Sequence, residues 1–350
     1  MSIESFDLAP GVVVPRIVVG LWQLSAGHRG GQLDRTATID ALERCVEAGL
    51  DTFDAADIYT GVEELLGRLV RRMGRRSRIR VHTKFVPDAA VLPTIDRRYV
   101  ERIVNRSLAR LGVETIDLVQ FSWWDYQVPG YVETLGWLGE LQSEGKIRLV
   151  GTTNFDVRRL RELANTGVEM VSHQVQYSLL DRRPANGLVR HCLREGASLL
   201  CYGTLAGGFL SERWLGAADA RDHWSNRSLY KYRLIIDGYG GWEAFQDLLR
   251  ALHRIAIRRQ VSIANVAERA VLERAGVGAI LVGARDAGHL EDNLRTLQMR
   301  LDAEDRQTIE SLLSRNPGPQ GDVFGLERVP GGPHAALMRT DLNQDNSVLE

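Results

Sequence analysis

The feature that most constrains this chain is a rhythm. Short apolar, β-branched runs alternate with longer amphipathic stretches, and the pairing repeats eight times. Ile17 to Gly20 reads as a strand; Thr36 to Ala48 then sets Ile39, Leu42 and Val46 at helical spacing, and Gly49 closes the helix. The pair recurs as Thr52 to Asp54 with Glu63 to Met73, Ile79 to Phe85 with Arg98 to Leu111, and Ile116 to Phe121 with Tyr131 to Ser143. It continues as Ile147 to Val150 with Val157 to Ala164, Met170 to Val175 with Asn186 to Arg194, and Ser198 to Tyr202 with Trp242 to Arg258 and Ile263 to Glu273. Ala279 to Gly283 with Leu290 to Leu297 completes it. Such alternation implies parallel strands joined by crossover helices. Eight units in sequence predict a closed (β/α)8 TIM barrel of the α/β class rather than an open sheet. No GxGxxG turn follows the first strand, which argues against a Rossmann domain.

No linker or repeat array splits the chain, so residues 1–315 are expected to form one barrel. Two regions depart from the rhythm: a long aromatic-rich loop, 211–241, after the seventh strand, and a Gly/Pro-rich C-terminal tail, 316–350. Loops that follow barrel strands line the mouth, where active sites sit, so the first is a candidate lid over substrate or cofactor. The tail is expected either to be disordered at its end or to take part in function.

A net charge of −1 offers no electrostatic basis for nucleic acid or an anionic membrane as partner. Arg71, Arg72, Arg75, Arg76 and Arg78 read as a solvated helix end and loop. Cys45, Cys192 and Cys201 are scattered, with no CxxC pair or Cys/His cluster, so neither a zinc site nor any other metal is expected. The N-terminal residues lack a basic region followed by an apolar run, and no segment approaches the ~20 apolar residues of a membrane span. A cytoplasmic protein with reduced thiols and a small-molecule partner is the expectation.

Polar residues collect where the expected strands end: Asp54 on the second strand with Tyr59 five residues later, Lys84 on the third, Asn154 after the fifth and Gln174 in the sixth. A closed barrel brings such ends together. An ammonium beside a phenol favours the phenolate, a carboxylate keeps the Lys charged, and a Tyr tuned this way serves as general acid or base. Singly, each has a plainer reading: Asp54 as a helix cap, Tyr59 as loop packing, Lys84 as a strand end reaching solvent. Their joint placement at successive strand ends favours chemistry.

Several segments together resemble the aldo-keto reductases, over about Pro15 to Leu297. They are Gly20-Leu21-Trp22, the run from Asp51 to Tyr59, Thr83-Lys84-Phe85, Gly151 to Phe155, Gln174 to Arg182, Tyr202 to Leu210 and Val282 to Arg285. The resemblance implies NADP(H)-dependent interconversion of an aldehyde or ketone with an alcohol. It makes Tyr59 the proton donor, with Lys84 depressing its pKa and Asp54 pairing with Lys84. It assigns Thr153, Asn154 and Gln174 to the nicotinamide carboxamide and Tyr202 to stacking on the ring. Gly20, Trp22, Gly203, Leu205 and Gly283 would line the cofactor, and Arg285, His289 and Asn293 its adenosine end. His289 stands where many members carry Arg, which keeps NAD(H) open beside NADP(H).

One departure stands out. The family's usual His at the end of the fourth strand is Ser122 here. Ser can donate a hydrogen bond to a carbonyl, but from a shorter reach and without titrating near neutral pH. The space it frees, next to Trp123, Trp124 and Tyr126, suits a ring-shaped or sugar-like substrate touched by Trp22, Tyr59, Trp123 and Trp124. His82 and His173 are candidate stand-ins, although each lies within a strand that carries another motif residue. Two other functions compete with carbonyl reduction. One is a redox-neutral enzyme whose bound cofactor oxidises a substrate transiently for elimination or epimerisation. The other is a non-catalytic, cofactor-binding sensor subunit.

Overall fold

The computed structural model describes residues 3–26, 28, 33–74, 79–219, 227–283 and 287–343. A short antiparallel hairpin comes first, β1 (Ser5–Ala9) with β2 (Val12–Pro15), an element the sequence rhythm did not announce. The barrel strands follow: β3 (Ile17–Gly20), β4 (Thr52–Asp54), β5 (Arg80–Phe85), β6 (Ile116–Phe121), β7 (Ile147–Thr153), β8 (Met170–Gln176), β9 (Ser198–Tyr202) and β10 (Val277–Gly283). Each pairs in parallel with its neighbour, and β10 pairs with β3, so the sheet closes as the alternation predicts. The helices between strands are α1 (Arg35–Glu47), α2 (Val62–Met73), α3 (Arg97–Leu111), α4 (Tyr131–Ser143), α5 (Val157–Ala164) and α6 (Leu188–Glu195). Between β9 and β10 come α7 (Arg227–Tyr239), α8 (Gly241–Arg259) and α9 (Ile263–Leu272); α10 (Leu290–Gln298) and α11 (Ala303–Arg315) follow the last strand.

Local chemistry starts several helices. Asp34, Asp96, Asp156 and Asp302 precede α1, α3, α5 and α11, and each side chain accepts from the backbone N–H three residues on. Such a cap stabilises a helix by about 1 kcal/mol. Asp54 is not a cap: α2 begins after Gly61, whose φ of 80° suits glycine.

The hairpin closes the end of the barrel where the strands start. Leu8, Val12 and Val14 pack with Val18, Leu118, Val171, Leu200 and Ala279 in one apolar cluster. The opposite, C-terminal end carries the loops. The described part of the expected loop 211–241 contains a helix, α7, whose Tyr232 ring packs so tightly on Gly203 and Gly207 that a Cβ at either would collide with it. A run of aromatics with no clear apolar stripe hid that helix.

The described part of the tail, through Asn343, crosses the C-terminal face; the end of the tail lies outside the described residues. Arg182 donates to Leu313 O and Asn316 O near β8, while Ala89 N donates to Thr340 O beyond β5. Asn343 is held by two contacts: its N–H donates to Asp88 Oδ1 (2.8 Å) and its side-chain amide donates to Val86 O (2.8 Å). No described helix is long and apolar enough to cross a membrane. The three cysteines are free and buried, and burial pushes the Cys45 thiol up to about 11 and Cys192 to about 12.

Candidate active site

Parallel closure puts every strand's C-terminal end on one face, and the register decides which side chains meet there. Gly20 sits beside Asp54, Lys84 beside Gln120, Thr153 beside Gln174 and Gln176 beside Tyr202. The centre is a buried ion pair between Lys84 Nζ and Asp54 Oδ2, with Lys84 only 6% exposed. Lys84 Nζ also donates to Ala55 O at 2.7 Å. Asp54 Oδ1 accepts from two amides, Gln120 Nε2 at 2.9 Å and Gln174 Nε2 at 2.8 Å. The carboxylate is thus satisfied from three sides, which is what a buried charge requires. Burial works against the charge on Lys84, but Asp54 and Tyr59 outweigh it and hold the pKa above the ordinary Lys value.

Tyr59 lies over this pair. Lys84 Nζ is 4.9 Å from the centre of its ring, and Trp22 packs on it with ring centres 4.8 Å apart. Lys84 does lower the Tyr59 pKa, as the sequence suggests, but burial raises it more and Asp54 adds to the rise. The net direction is upward, so the phenol stays protonated at neutral pH. Sequence reasoning saw the cation and could not weigh the desolvation against it.

The residues expected to contact cofactor spread around the mouth. Asn154 follows β7 with φ of 63°, an uncommon left-handed conformation for a residue other than glycine. Its Oδ1 accepts from the Tyr202 hydroxyl at 3.0 Å. Thr153 spends its hydroxyl on Gln174 O at 3.0 Å. Gly203 turns the chain with φ of 68°, and Leu205 is half-buried two residues on. Gly283 is exposed at the end of β10, close against the Gln23 side chain; His289 is exposed just before α10 and Asn293 half-buried within it. Arg285 lies outside the described residues, as do Arg75, Arg76 and Arg78.

Ser122 stands just past β6, 6% exposed, with its N–H donating to Phe85 O at 3.0 Å. Among the described residues its hydroxyl meets no hydrogen-bonding partner. Both candidate histidines are buried within strands. His173 Nε2 donates to Phe155 O (3.0 Å), Thr152 Oγ1 lies 2.7 Å from its Nδ1, and burial depresses its pKa to about 3. His82 is buried in the barrel wall, with its pKa lowered to about 4 by desolvation. The tryptophans divide. Trp123 is fully buried, and its indole N–H donates to Asp125 O (2.9 Å) and Val128 O (3.0 Å), so it is core rather than a substrate contact. Trp124 is half-buried beside Phe324 of the tail.

Two features escaped the sequence. Gln120, which holds Asp54, was legible only as a polar residue at an inward strand position. Glu327 and Arg328 of the tail reach the mouth from a segment without periodicity. Glu327 Oε2 lies 3.3 Å from Arg183 Nη1 and Oε1 3.1 Å from Lys231 Nζ.

The arrangement combines a buried cation, a phenol kept protonated beside it, and amides at the rim. It can deliver a proton to an oxygen placed next to Tyr59 and stabilise the tyrosinate left behind. The chain is similar to several known proteins. The Bacillus subtilis protein "Aldo-keto reductase YhdN" is 26% identical, with 90% of this chain and 95% of that protein covered. The Escherichia coli "NADH-specific methylglyoxal reductase" is 27% identical over 86% of this chain and 95% of that protein. An aldo/keto reductase from Klebsiella pneumoniae, solved in complex with NADP and acetate, superposes with a TM-score of 0.68 at 23% identity, covering 92% of this chain and 98% of that one, and supports the fold. The model of the aldo/keto reductase family matches residues 16–314. The chain therefore belongs to the aldo/keto reductase family of nicotinamide-dependent oxidoreductases.

Proposed function

We propose that the protein reduces an aldehyde or ketone, sugar-like or ring-shaped ones included, using NADP(H), with Tyr59 as the proton donor. The observation that carries this reading is Tyr59 seated over the buried Lys84–Asp54 pair at the strand ends. When bound, a reduced nicotinamide supplies the hydride; the residues of this chain do the rest. Tyr59 gives its hydroxyl proton to the carbonyl oxygen as negative charge develops there, and solvent restores the proton after product leaves. The Lys84 ammonium favours the tyrosinate, a charge present only late in the reaction, so its effect falls on the transition state. Asp54 keeps Lys84 charged and fixed.

The rim fits a primary carboxamide. Among the described residues Asn154 Nδ2 meets no acceptor and Gln174 Oε1 no donor, since Asn154 uses its oxygen on Tyr202 and Gln174 its nitrogen on Asp54. A carboxamide presents the complementary acceptor and donor. NADH remains an alternative cofactor: the relative from Escherichia coli is named NADH-specific, and His289 stands exposed where a 2′-phosphate partner is expected. Trp22 and Trp124 are the proposed substrate contacts, and the cytoplasm the proposed compartment. Ser122 favours a second reading, the redox-neutral one, because it supplies no titrating group to relay protons.

The test follows the absorbance of NADPH, and of NADH in parallel, against aldehydes, ketones and sugars, for wild type and Tyr59→Phe. Turnover that falls at least about a hundredfold in the variant is expected. Tight cofactor binding with no net oxidation on any carbonyl would replace this reading with the redox-neutral or sensor alternative.

A further inference from the structure

Two adjacent charges of opposite sign turn inward from the short tail helix Leu326–Arg328. Glu327 is buried and ion-paired. Arg328 differs: among the described residues it forms no ion pair and spends its guanidinium on backbone carbonyls. Nη2 donates to Trp123 O at 2.8 Å, Nε to Trp124 O at 3.1 Å, and Nη1 to Asn154 O at 3.0 Å and, more weakly, to Phe324 O at 3.5 Å. The guanidinium also lies over Tyr126, 4.1 Å from the ring centre, and over Phe324 at 5.0 Å. Tyr126 reinforces the junction, since its hydroxyl accepts from Asp156 N at 3.1 Å.

Three of these carbonyls, those of Trp123, Trp124 and Asn154, belong to the two loops that matter most at the mouth. One follows β6 and begins at Ser122; the other follows β7 at Asn154. Asn154 is also the residue held at positive φ, with its side chain turned to Tyr202. Asn tolerates this conformation better than most residues, and here its side chain and its carbonyl are both held by residues outside its own loop. A planar fork of five N–H donors can bridge three carbonyls at once and still stack between aromatic rings; a Lys ammonium cannot span them.

We propose that Arg328 is a positioning residue, and that the C-terminal tail is thereby part of the active site rather than a cover laid over it. Arg328 ties the Ser122 loop to Asn154 and so fixes the Asn154 amide against the cofactor and the Ser122 hydroxyl against the substrate oxygen. This rests on the oxidoreductase reading above, but one arm of its test does not. If Arg328 only fastened the tail, its loss would free residues 316–343 and leave the two loops as they were.

The experiment compares full-length wild type with Arg328→Met and Arg328→Lys. Hydrogen exchange is read over residues 122–128, 152–157 and 316–343, NADPH affinity by quenching of protein fluorescence, and kcat and KM on whichever carbonyl turns over. Expected for Arg328→Met are faster exchange in both loops as well as the tail, NADPH binding weakened about tenfold or more, and a lower kcat/KM. Arg328→Lys, keeping charge but not the fork, should fall between. Faster exchange confined to 316–343, with NADPH affinity within twofold of wild type, overturns the proposal. If Arg328→Met does not fold, Arg328→Lys decides it: weaker NADPH binding with faster loop exchange supports the tie, and wild-type values of both refute it. If wild type itself reduces no carbonyl, the oxidoreductase reading fails, while exchange and NADPH binding still judge Arg328.

Discussion

Replacing Asp54 with Asn tests the centre of the site with almost no change in shape. Asp54 accepts from Lys84, Gln120 and Gln174 inside the barrel. An Asn there has one acceptor and one N–H2 group. If its oxygen faces Lys84, its nitrogen faces two glutamine N–H2 groups. Gln120 can absorb part of that clash by turning its amide over, because its Oε1 has no protein partner. What no side chain can replace is the charge. Breaking a buried ion pair by removing one partner costs about 3–5 kcal/mol. Lys84 limits the cost by giving up its proton, so its pKa should fall from its raised position. A loss of about 3 kcal/mol lowers the thermal midpoint of a chain this size by roughly 4 °C. Without a charged Lys84 the tyrosinate loses its counter-charge, and kcat should drop about a hundredfold. Thermal unfolding followed by circular dichroism at pH 7, with initial rates on the same preparation, reads both. A midpoint within about a degree of wild type together with kcat within twofold would refute the view that Asp54 keeps Lys84 charged.

Three further predictions follow from particular contacts. Gly67→Ala should destabilise by at least about 2 kcal/mol, although Ala favours a helix interior by about 1 kcal/mol, because the new Cβ would collide with the carbonyl oxygens of Arg110 and Leu111 where α2 meets α3; urea midpoints decide it, and a stabilised variant contradicts the packing. Ser122→His should raise kcat/KM on small aldehydes about tenfold by restoring a donor that reaches farther, and a pH–rate profile with no new transition near neutrality would show that the imidazole does not engage. Glu327 is buried, yet Lys231 and Arg183 hold its carboxyl down at about 2, against 4.5 ordinarily. A depressed acid contributes stability that is present above its unfolded pKa and lost as pH falls through the folded one, here about 3 kcal/mol between pH 4.5 and 2. Glu327→Gln should therefore flatten the fall in thermal midpoint over that range, and parallel curves for the two proteins would disprove it.

The sequence by itself determined the architecture, because the alternation of apolar runs and amphipathic stretches is a local property that each segment carries in its own residues. It also marked Asp54, Tyr59, Lys84, Asn154 and Gln174, since their positions at strand ends follow from the same rhythm once the barrel closes. The tertiary structure decided what distance and burial control. Only packing could show that desolvation outweighs Lys84 in setting the Tyr59 pKa, that Trp123 turns into the core while Trp124 stays near the mouth, and that Gln120 supports Asp54 from two strands away. The helix α7 within residues 211–241 takes its place from the close fit of Tyr232 against two glycines, a contact between segments far apart in the chain. The tail was least legible of all. Glu327 and Arg328 sit in a Gly/Pro-rich stretch without periodicity, and their partners outside the tail are the cations Arg183 and Lys231 and backbone carbonyls from two other loops, none of which leaves a mark on the local sequence.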